Sequence, residues 1–363
     1  MKKSFAIDVL TGLVWGIFPI TAGAQDTTKP VTITAYAEVY YLYNFNRPLN
    51  NTQPFFLYSY HRVGEINLNL GWIKGSYSED RVRANLALMT GTYAVANLAA
   101  EPEVLRHIFE ADIGVKLSAK SNLWLDAGIL PSHIGFESAV GKDCPTLTRS
   151  ILAENSPYYE AGLKLGYTTK EEKWYLALLL LNGWQRIKRV DGNTTPAFGT
   201  QVTYKPSARS TLNWSTFIGN DKPDSARRWR YFQNIYGTFH ISKAFSLIAG
   251  IDAGMEQQSK GSVKMDSWYA PVVIARYQLN EKVAATARSE FYSDKQGVVI
   301  PTRTANGFQT VGYSLNFDFS IKANLLWRIE ARTLNSKDKI FEKRNRVLTT
   351  NSTWLATSIA VSF

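Results

Sequence analysis

The four histidines are the residues best suited to metal binding or acid–base chemistry, yet their spacing supports neither. They lie far apart in the chain, at His61, His107, His133 and His240. The closest metal-like pairing, His133 with Glu137, falls in a segment flanked by Pro and Gly rather than on a helix. Ser242 follows His240, but two neighbours on a strand do not make a nucleophile with an oriented base. The sequence therefore predicts no metal, no cofactor and no enzymatic site.

Charged residues recur at every second position in several segments. Arg328, Glu330 and Arg332 alternate with Ile329 and Ala331. Successive side chains on a β-strand point to opposite faces, so these charges share one face and apolar residues occupy the other. The same interpretation assigns to the charged face Arg81, Arg83, Arg276, Arg288 and Glu290. Arg and Glu in rows are typical of the lining of an aqueous pore.

Alternation of apolar and polar residues extends along most of the chain, and no helical pattern of comparable strength occurs. Clear examples are 31–41, 65–72, 109–117, 311–319 and 355–363. In the second of these, Leu70 and Trp72 are predicted to share the apolar, outward face with Ile66 and Leu68. Many segments run to about ten residues, the length that a tilted strand needs to cross a bilayer. The elements that would position the charges are therefore transmembrane strands.

The connections between these segments alternate in length. Every second connection is short, whereas the others are longer, and the longest runs from Pro131 to Pro157. Bacterial outer-membrane barrels combine short periplasmic turns with long extracellular loops and an even strand number. The predicted fold is all-β, a membrane-spanning antiparallel up-and-down β-barrel of about sixteen strands with a long third surface loop. Fourteen or eighteen strands remain possible because sequence alone misplaces strand boundaries.

The two ends of the chain are consistent with export and barrel closure. Lys2 and Lys3 precede an apolar stretch and then Ala24, which predicts a signal peptide at 1–24 and a barrel domain at 25–363. The last predicted strand ends on the aromatic Phe363. The net charge is +11, but the basic residues are scattered, so no nucleic-acid partner is predicted. The single Cys144 excludes an internal disulfide.

Three segments resemble the putative β-barrel porin-2 (OmpL-like) family of outer-membrane porins. They are "ITAYAEVYYLYNFNRP", "LDAGILPSHIGFESAVGKDCPTLTRSILAENSPYYEAGLKLGY" and the terminal "SIAVSF". The resemblance implies location in the outer membrane, contact with its lipid, and passive transport. It does not name the solute.

The connection at 131–157 resembles the third loop of sixteen-stranded porins, which folds into the barrel. That resemblance implies a constriction loop, with Glu137, Asp143, Arg149 and Glu154 as its charged candidates. A loop of this length is usually functional or disordered. The alternative is an ordinary outward surface loop.

Taken together, these features predict a water-filled porin for small hydrophilic solutes or ions. The inward arginines predict a weak, salt-dependent preference for anions, which is opposed by acidic residues on the other wall, namely Glu65, Glu110, Asp112, Asp126, Glu160 and Asp252. Two alternatives remain: the Arg and Glu residues pair with one another to brace the wall, or loops close the barrel and it serves as a surface binding or structural protein. An outer-membrane lipid hydrolase is a weaker third alternative. Whether the chain forms a homotrimer is left open.

Overall fold

The structure, a computed structural model, describes residues 30–363. The predicted signal peptide at 1–24 lies outside the described residues. None of the helices in the described part is long and apolar enough to cross a membrane.

Sixteen strands close into a single antiparallel barrel. They are β1 (Val31–Asn44), β2 (Ile66–Glu79), β3 (Val82–Thr90), β4 (Ile108–Lys116), β5 (Asn122–Pro131), β6 (Tyr159–Thr168), β7 (Trp174–Leu181), β8 (Ala197–Ser207), β9 (Ser210–Gly219), β10 (Arg230–His240), β11 (Phe245–Gln257), β12 (Met265–Gln278), β13 (Val283–Asp294), β14 (Phe308–Lys322), β15 (Leu325–Ser336) and β18 (Asn351–Ser362). The predicted fold class and strand number are confirmed.

The remaining elements are short and lie in connections. Strands β16 (Phe341–Glu342) and β17 (Leu348–Thr349) form a separate hairpin between β15 and β18. The α-helices are α1 (Thr92–Asn97) and α2 (Ile151–Glu154), and 3₁₀ turns occur at Glu103–His107, Gly141–Asp143 and Asp224–Ala226.

Pairing between β18 and β1 closes the barrel. Their register runs from Tyr36 opposite Ser362 to Asn44 opposite Trp354. A hydrocarbon core offers no water to an unpaired backbone group, and each such group costs several kcal/mol, so a spanning sheet must close on itself. The outward side chains match this environment: Leu315 and Ile359, for example, are about half exposed on the outer face.

The connections differ sharply between the two ends of the barrel. One end carries tight turns, such as 208–209 and 323–324, together with both chain ends of the barrel. The other carries the long connections 45–65, 91–107, 132–158, 182–196, 220–229, 258–264, 295–307 and 337–350. We refer to these as the short-turn end and the long-loop end, which correspond to the periplasmic and extracellular ends of bacterial barrels.

A β-bulge in β2 places two of its side chains on the opposite face of the barrel from the one predicted. The register between β1 and β2 shifts at Glu38, so that Leu70 rather than Asn69 lies opposite it. Leu70 is fully buried, and Trp72 stacks on the inward Tyr36 with ring centroids 6.0 Å apart. The outward assignment of Leu70 and Trp72 is therefore wrong, because one extra residue reverses the face of everything beyond it.

The long-loop half of the barrel interior is packed with apolar side chains. Phe56, Ile134 and Ile151 from the connections join the inward Trp268 and Trp354 in one buried cluster.

Candidate functional site

The connection at 132–158, which we call the inner loop, crosses the barrel interior. It leaves β5 and enters β6, yet its middle contacts β13, β14 and β15 on the opposite side of the ring. The backbone N–H of Ile151 donates to Glu290 at 2.6 Å, and that of Leu147 donates to Asn316 at 3.0 Å. The Thr148 N–H donates to Glu330. Inward carboxylate and amide oxygens thus satisfy loop N–H groups that a dry interior would otherwise leave unpaired.

The predicted charges on β13 and β15 form ion pairs with each other across β14, which lies between them, and with β14 itself. Arg288 Nη2 lies 3.0 Å from Glu330 Oε1, and Arg332 Nη2 lies 2.7 Å from Glu290 Oε1. Arg328 Nε lies 2.7 Å from Asp318 on β14. Because each arginine has a carboxylate partner within 3 Å, the wall carries little uncompensated charge.

The same arginines hold the inner loop. Arg288 Nη1 donates to the Thr148 carbonyl at 2.6 Å, Arg328 Nη1 to that of Gly141 at 2.8 Å, and Arg332 Nη1 to that of Arg149 at 2.8 Å. The side chains of Arg288 and Arg328 are 0% exposed. Hence they lie on the inner face but beneath the loop, rather than in contact with water.

Two other predicted wall residues have different surroundings. Arg81 is exposed in the turn before β3 and donates to the Lys116 carbonyl at 3.2 Å, so it lies at the short-turn rim instead of on the barrel wall. The boundary of β3 falls after it because β2 continues to Glu79. Arg276 on β12 is partly exposed and pairs with Asp318.

Three of the four charged candidates in the inner loop are buried. Glu137 accepts hydrogen bonds from the N–H and hydroxyl of Ser150, and Arg149 Nε donates to the Ser138 carbonyl at 2.6 Å. Glu154 accepts from the Tyr58 N–H at 2.8 Å, which ties the inner loop to the connection at 45–65. Burial raises the pKa of the Glu137 and Glu154 carboxyls. These residues shape the loop from within.

Asp143 differs from the other three loop candidates. Its side chain is 54% exposed and lies 3.3 Å from Lys142 Nζ, at the part of the loop that contacts Arg328. The sequence analysis missed Lys142, although its position beside Asp143 in a Gly-flanked turn was a usable signal. These two side chains are the loop charges that face water.

His133 pins the start of the inner loop. Its Nδ1 lies 2.8 Å from Glu160 and its Nε2 lies 2.8 Å from the Thr216 carbonyl on β9. Both partners are acceptors, so both ring nitrogens must donate and the imidazole is charged. Burial lowers the pKa of His133, but the Glu160 carboxylate and the Thr216 carbonyl together raise it above its usual value. Glu137, which is four positions from His133 in the chain, is instead bound to Ser150.

His240 lies beside a serine on the next strand. Its Nδ1 lies 2.8 Å from Ser246 Oγ on β11. Ser242 accepts from the N–H groups of Ala244 and Phe245 and shapes the turn.

Glu38 on β1 is a further interior carboxylate that the sequence analysis did not select. It is fully buried and accepts hydrogen bonds from Tyr60 at 2.9 Å and from Ser358 at 2.9 Å. The signal was available, because Glu38 is the only charged residue in an otherwise uncharged strand.

Partly exposed side chains line the interior on the wall opposite β13–β15. We call this region the vestibule; it comprises Arg83, Lys116, Trp124, Lys164, Gln201 and Thr203, which all lie in the short-turn half. Arg83 forms two hydrogen bonds of 2.7 Å with Asp126 and stacks 4.3 Å above the Trp124 ring. The interior thus has a loop-covered wall and a wall that faces water.

A polar, loop-narrowed interior within a closed sixteen-strand barrel is the arrangement expected of porins, and the family comparison agrees. The model of the putative β-barrel porin-2 (OmpL-like) family matches residues 30–363. The chain belongs to this family. No curated protein matches the sequence.

Solved structures of outer-membrane channels share the fold. The anion-selective porin from Comamonas acidovorans is 8% identical, with a TM-score of 0.60 over 92% of this chain and 99% of that chain. The outer-membrane channel DcaP of Acinetobacter baumannii is 10% identical, with a TM-score of 0.59 over 92% and 97%. The trimer form of Vibrio cholerae OmpT is 10% identical, with a TM-score of 0.58 over 92% and 100%. At these identities the likeness extends to the fold alone.

Proposed function

We propose that this barrel is an outer-membrane porin through which small hydrophilic solutes and ions diffuse passively, with the inner loop setting its narrowest part. The observation that carries the proposal is the asymmetry of the interior. The inner loop is fastened to β13–β15 through Arg288, Arg328 and Arg332, whereas the vestibule wall keeps partly exposed polar side chains. A one-sided constriction of this kind restricts solute size while leaving a wet path.

Weak charge selectivity belongs to the same proposal. The arginines on β13 and β15 are paired and covered, so they contribute little field to a solute path. The water-facing basic residues Lys116, Lys142 and Lys164 favour anions, and Asp143 opposes them. We therefore expect a slight anion preference that weakens as salt screens these charges over about 10 Å at 0.1 M.

Assembly as a homotrimer and the absence of enzymatic activity complete the proposal. The trimer form of the structurally similar Vibrio cholerae OmpT supports the first point. Family membership and the channel-like interior support the second.

A second function is favoured by a separate observation. A buried apolar cluster lies in the long-loop half of the barrel, and its members include Phe56, Ile134, Phe136, Leu147, Trp268 and Trp354. A barrel closed in this way would serve as a surface binding or structural protein.

Conductance in planar bilayers separates the two functions. The wild type is compared with a variant in which residues 137–155 are replaced by a short Gly-Ser linker, so that the buried carboxylates and Arg149 are removed with the loop. If the protein is a porin, the wild type should give steady current steps. The variant should give several-fold larger steps, because removing the loop widens the narrowest section of the channel.

The matched control replaces residues 343–347, which lie at the exposed tip of the β16–β17 hairpin, with a linker of the same chemistry. This control should conduct as the wild type does. A silent wild type beside a conducting loop variant would support the closed-barrel function and contradict the porin.

A further inference from the structure

Three neighbouring connections at the long-loop end are joined into one surface, which we call the basic platform: 182–196, 220–229 and 258–264. Asn193 Nδ2 donates to the Asn220 carbonyl at 2.6 Å, and the Trp184 N–H donates to Asp221 at 3.0 Å. Lys260 Nζ donates to the Asp224 carbonyl at 2.8 Å. These bonds hold three separate loops in fixed relative positions.

A buried ion cluster supports the platform from below. Arg230, the first residue of β10, lies 2.6 Å from Glu256 and 3.4 Å from Asp221. Its guanidinium also lies over the rings of Trp184 and Trp268, at 5.2 and 5.8 Å from their centroids. The side chains beneath the platform are therefore held by ion pairs and by packing of the Arg230 guanidinium against aromatic rings.

Cations dominate the platform. It contains eight basic residues, Arg186, Lys188, Arg189, Lys222, Arg227, Arg228, Lys260 and Lys264, and three acidic ones, Asp191, Asp221 and Asp224. The acidic groups are engaged locally: Asp221 pairs with Arg230, Asp224 accepts from Thr194 at 2.6 Å, and Asp191 lies 2.9 Å from Lys188. Lys222, Lys260 and Lys264 are exposed. The surface is left strongly positive.

The platform lies directly above the lipid-facing edge of the barrel. Tyr231 and Tyr269 point outward near the long-loop ends of β10 and β12 and are 42% and 47% exposed. Aromatic residues at such positions mark the level of the lipid headgroups. Arg227 stacks over Trp229 at 5.7 Å beside them, with its charge at that level.

We propose that the basic platform binds the phosphate groups of outer-leaflet lipid and fixes the barrel to its surrounding lipid at one side. Phosphates at a membrane surface are anionic and numerous, and they all lie at the depth of the headgroups. Several preorganised Lys and Arg side chains at the same depth are complementary to them in charge and position. A juxtamembrane basic residue contributes roughly fivefold to binding an anionic surface. The outward aromatic residues Tyr231 and Tyr269 at the platform edge favour lipid, rather than a free solute, as the ligand.

The test measures binding of bis-phosphorylated lipid A to the full-length barrel in detergent micelles, with retained lipid counted by native mass spectrometry. The platform variant combines Lys222→Gln, Arg227→Gln and Lys264→Gln, none of which removes a bond between the three loops. The matched control combines Lys120→Gln, Lys170→Gln and Lys243→Gln, which remove the same charge from exposed short turns. We expect the platform variant to bind roughly 100-fold more weakly and the control to bind as the wild type does.

Two further arms identify the ligand chemistry. Dephosphorylated lipid A should bind the wild type as weakly as the intact lipid binds the platform variant. Inorganic phosphate at matched phosphate concentration should compete poorly. Equal losses in platform and control variants would overturn the proposal, and so would complete displacement by inorganic phosphate, because the first indicates unspecific charge and the second a free-phosphate site.

Discussion

At the scale of single residues, the inner loop depends on a few buried polar groups that each have a defined partner. His133 illustrates this most clearly, because its two ring N–H groups connect β6 to β9 through Glu160 and the Thr216 carbonyl. The ring fits only because the neighbouring residue on β8 is Gly199. A Cβ on Gly199 would lie 2.7 Å from His133 Nε2.

Gly199→Ala should therefore displace His133 and loosen the start of the inner loop. We expect the substitution to reduce the free energy of unfolding by about 1–3 kcal/mol, the usual cost of overpacking. Urea unfolding in micelles, followed by tryptophan fluorescence, measures this change. The control is Gly75→Ala, since Gly75 also lies in a strand but an added Cβ there meets no atom within 4 Å. Equal effects of the two substitutions would show that His133 packing is not responsible.

At the scale of elements, the sequence predicted what depends on neighbours along the chain. Alternation assigned the faces of Arg288, Arg328 and Arg332 because a strand has a period of two. It failed at Leu70 and Trp72, since a bulge leaves no reliable mark in the pattern. It also could not show that the inner loop covers the arginines, because those contacts join residues such as Thr148 and Glu330, which are 182 positions apart.

The contact between the inner loop and its wall can be tested with a double-mutant cycle. Arg332→Met removes the cation that lies 2.7 Å from Glu290 and leaves that buried carboxylate poorly compensated, so we expect a loss on the order of 3 kcal/mol in unfolding free energy. Adding Glu290→Gln should recover part of this loss. Thermal unfolding of the two single variants and the double variant gives the coupling energy.

The control for this cycle is Lys188→Met, which breaks an exposed pair with Asp191. Surface pairs contribute little, so its unfolding should match that of the wild type. If Arg332→Met also left the unfolding free energy unchanged, the buried pair would not stabilise the docked loop.

At the scale of the whole molecule, the interior contains two kinds of charge: those that hold structure and those that face water. Only the second kind should act on a passing ion. Lys116→Glu combined with Lys164→Glu changes the vestibule, and we expect the reversal potential under a KCl gradient to shift towards cations. The shift should shrink as salt concentration rises.

The comparison variant for selectivity is Arg328→Gln, which removes a positive charge that is buried against Asp318 and the inner loop. It should leave the reversal potential nearly unchanged. A shift as large as that of the vestibule variant would mean that the covered wall does border the solute path.

The position of the inner loop in the chain also determines the order in which the barrel can mature. The loop at 132–158 is synthesised before β13–β15, and the carboxylates that receive its N–H groups lie far downstream, as Glu290 does for Ile151. The middle of the loop lacks these partners until β13–β15 are paired, although its start already contacts β6 and β9. We therefore expect a newly inserted barrel to pass through a stage in which its wall is complete and its passage is at its widest. Permeability would then be greatest immediately after insertion and would fall when the inner loop docks against its wall.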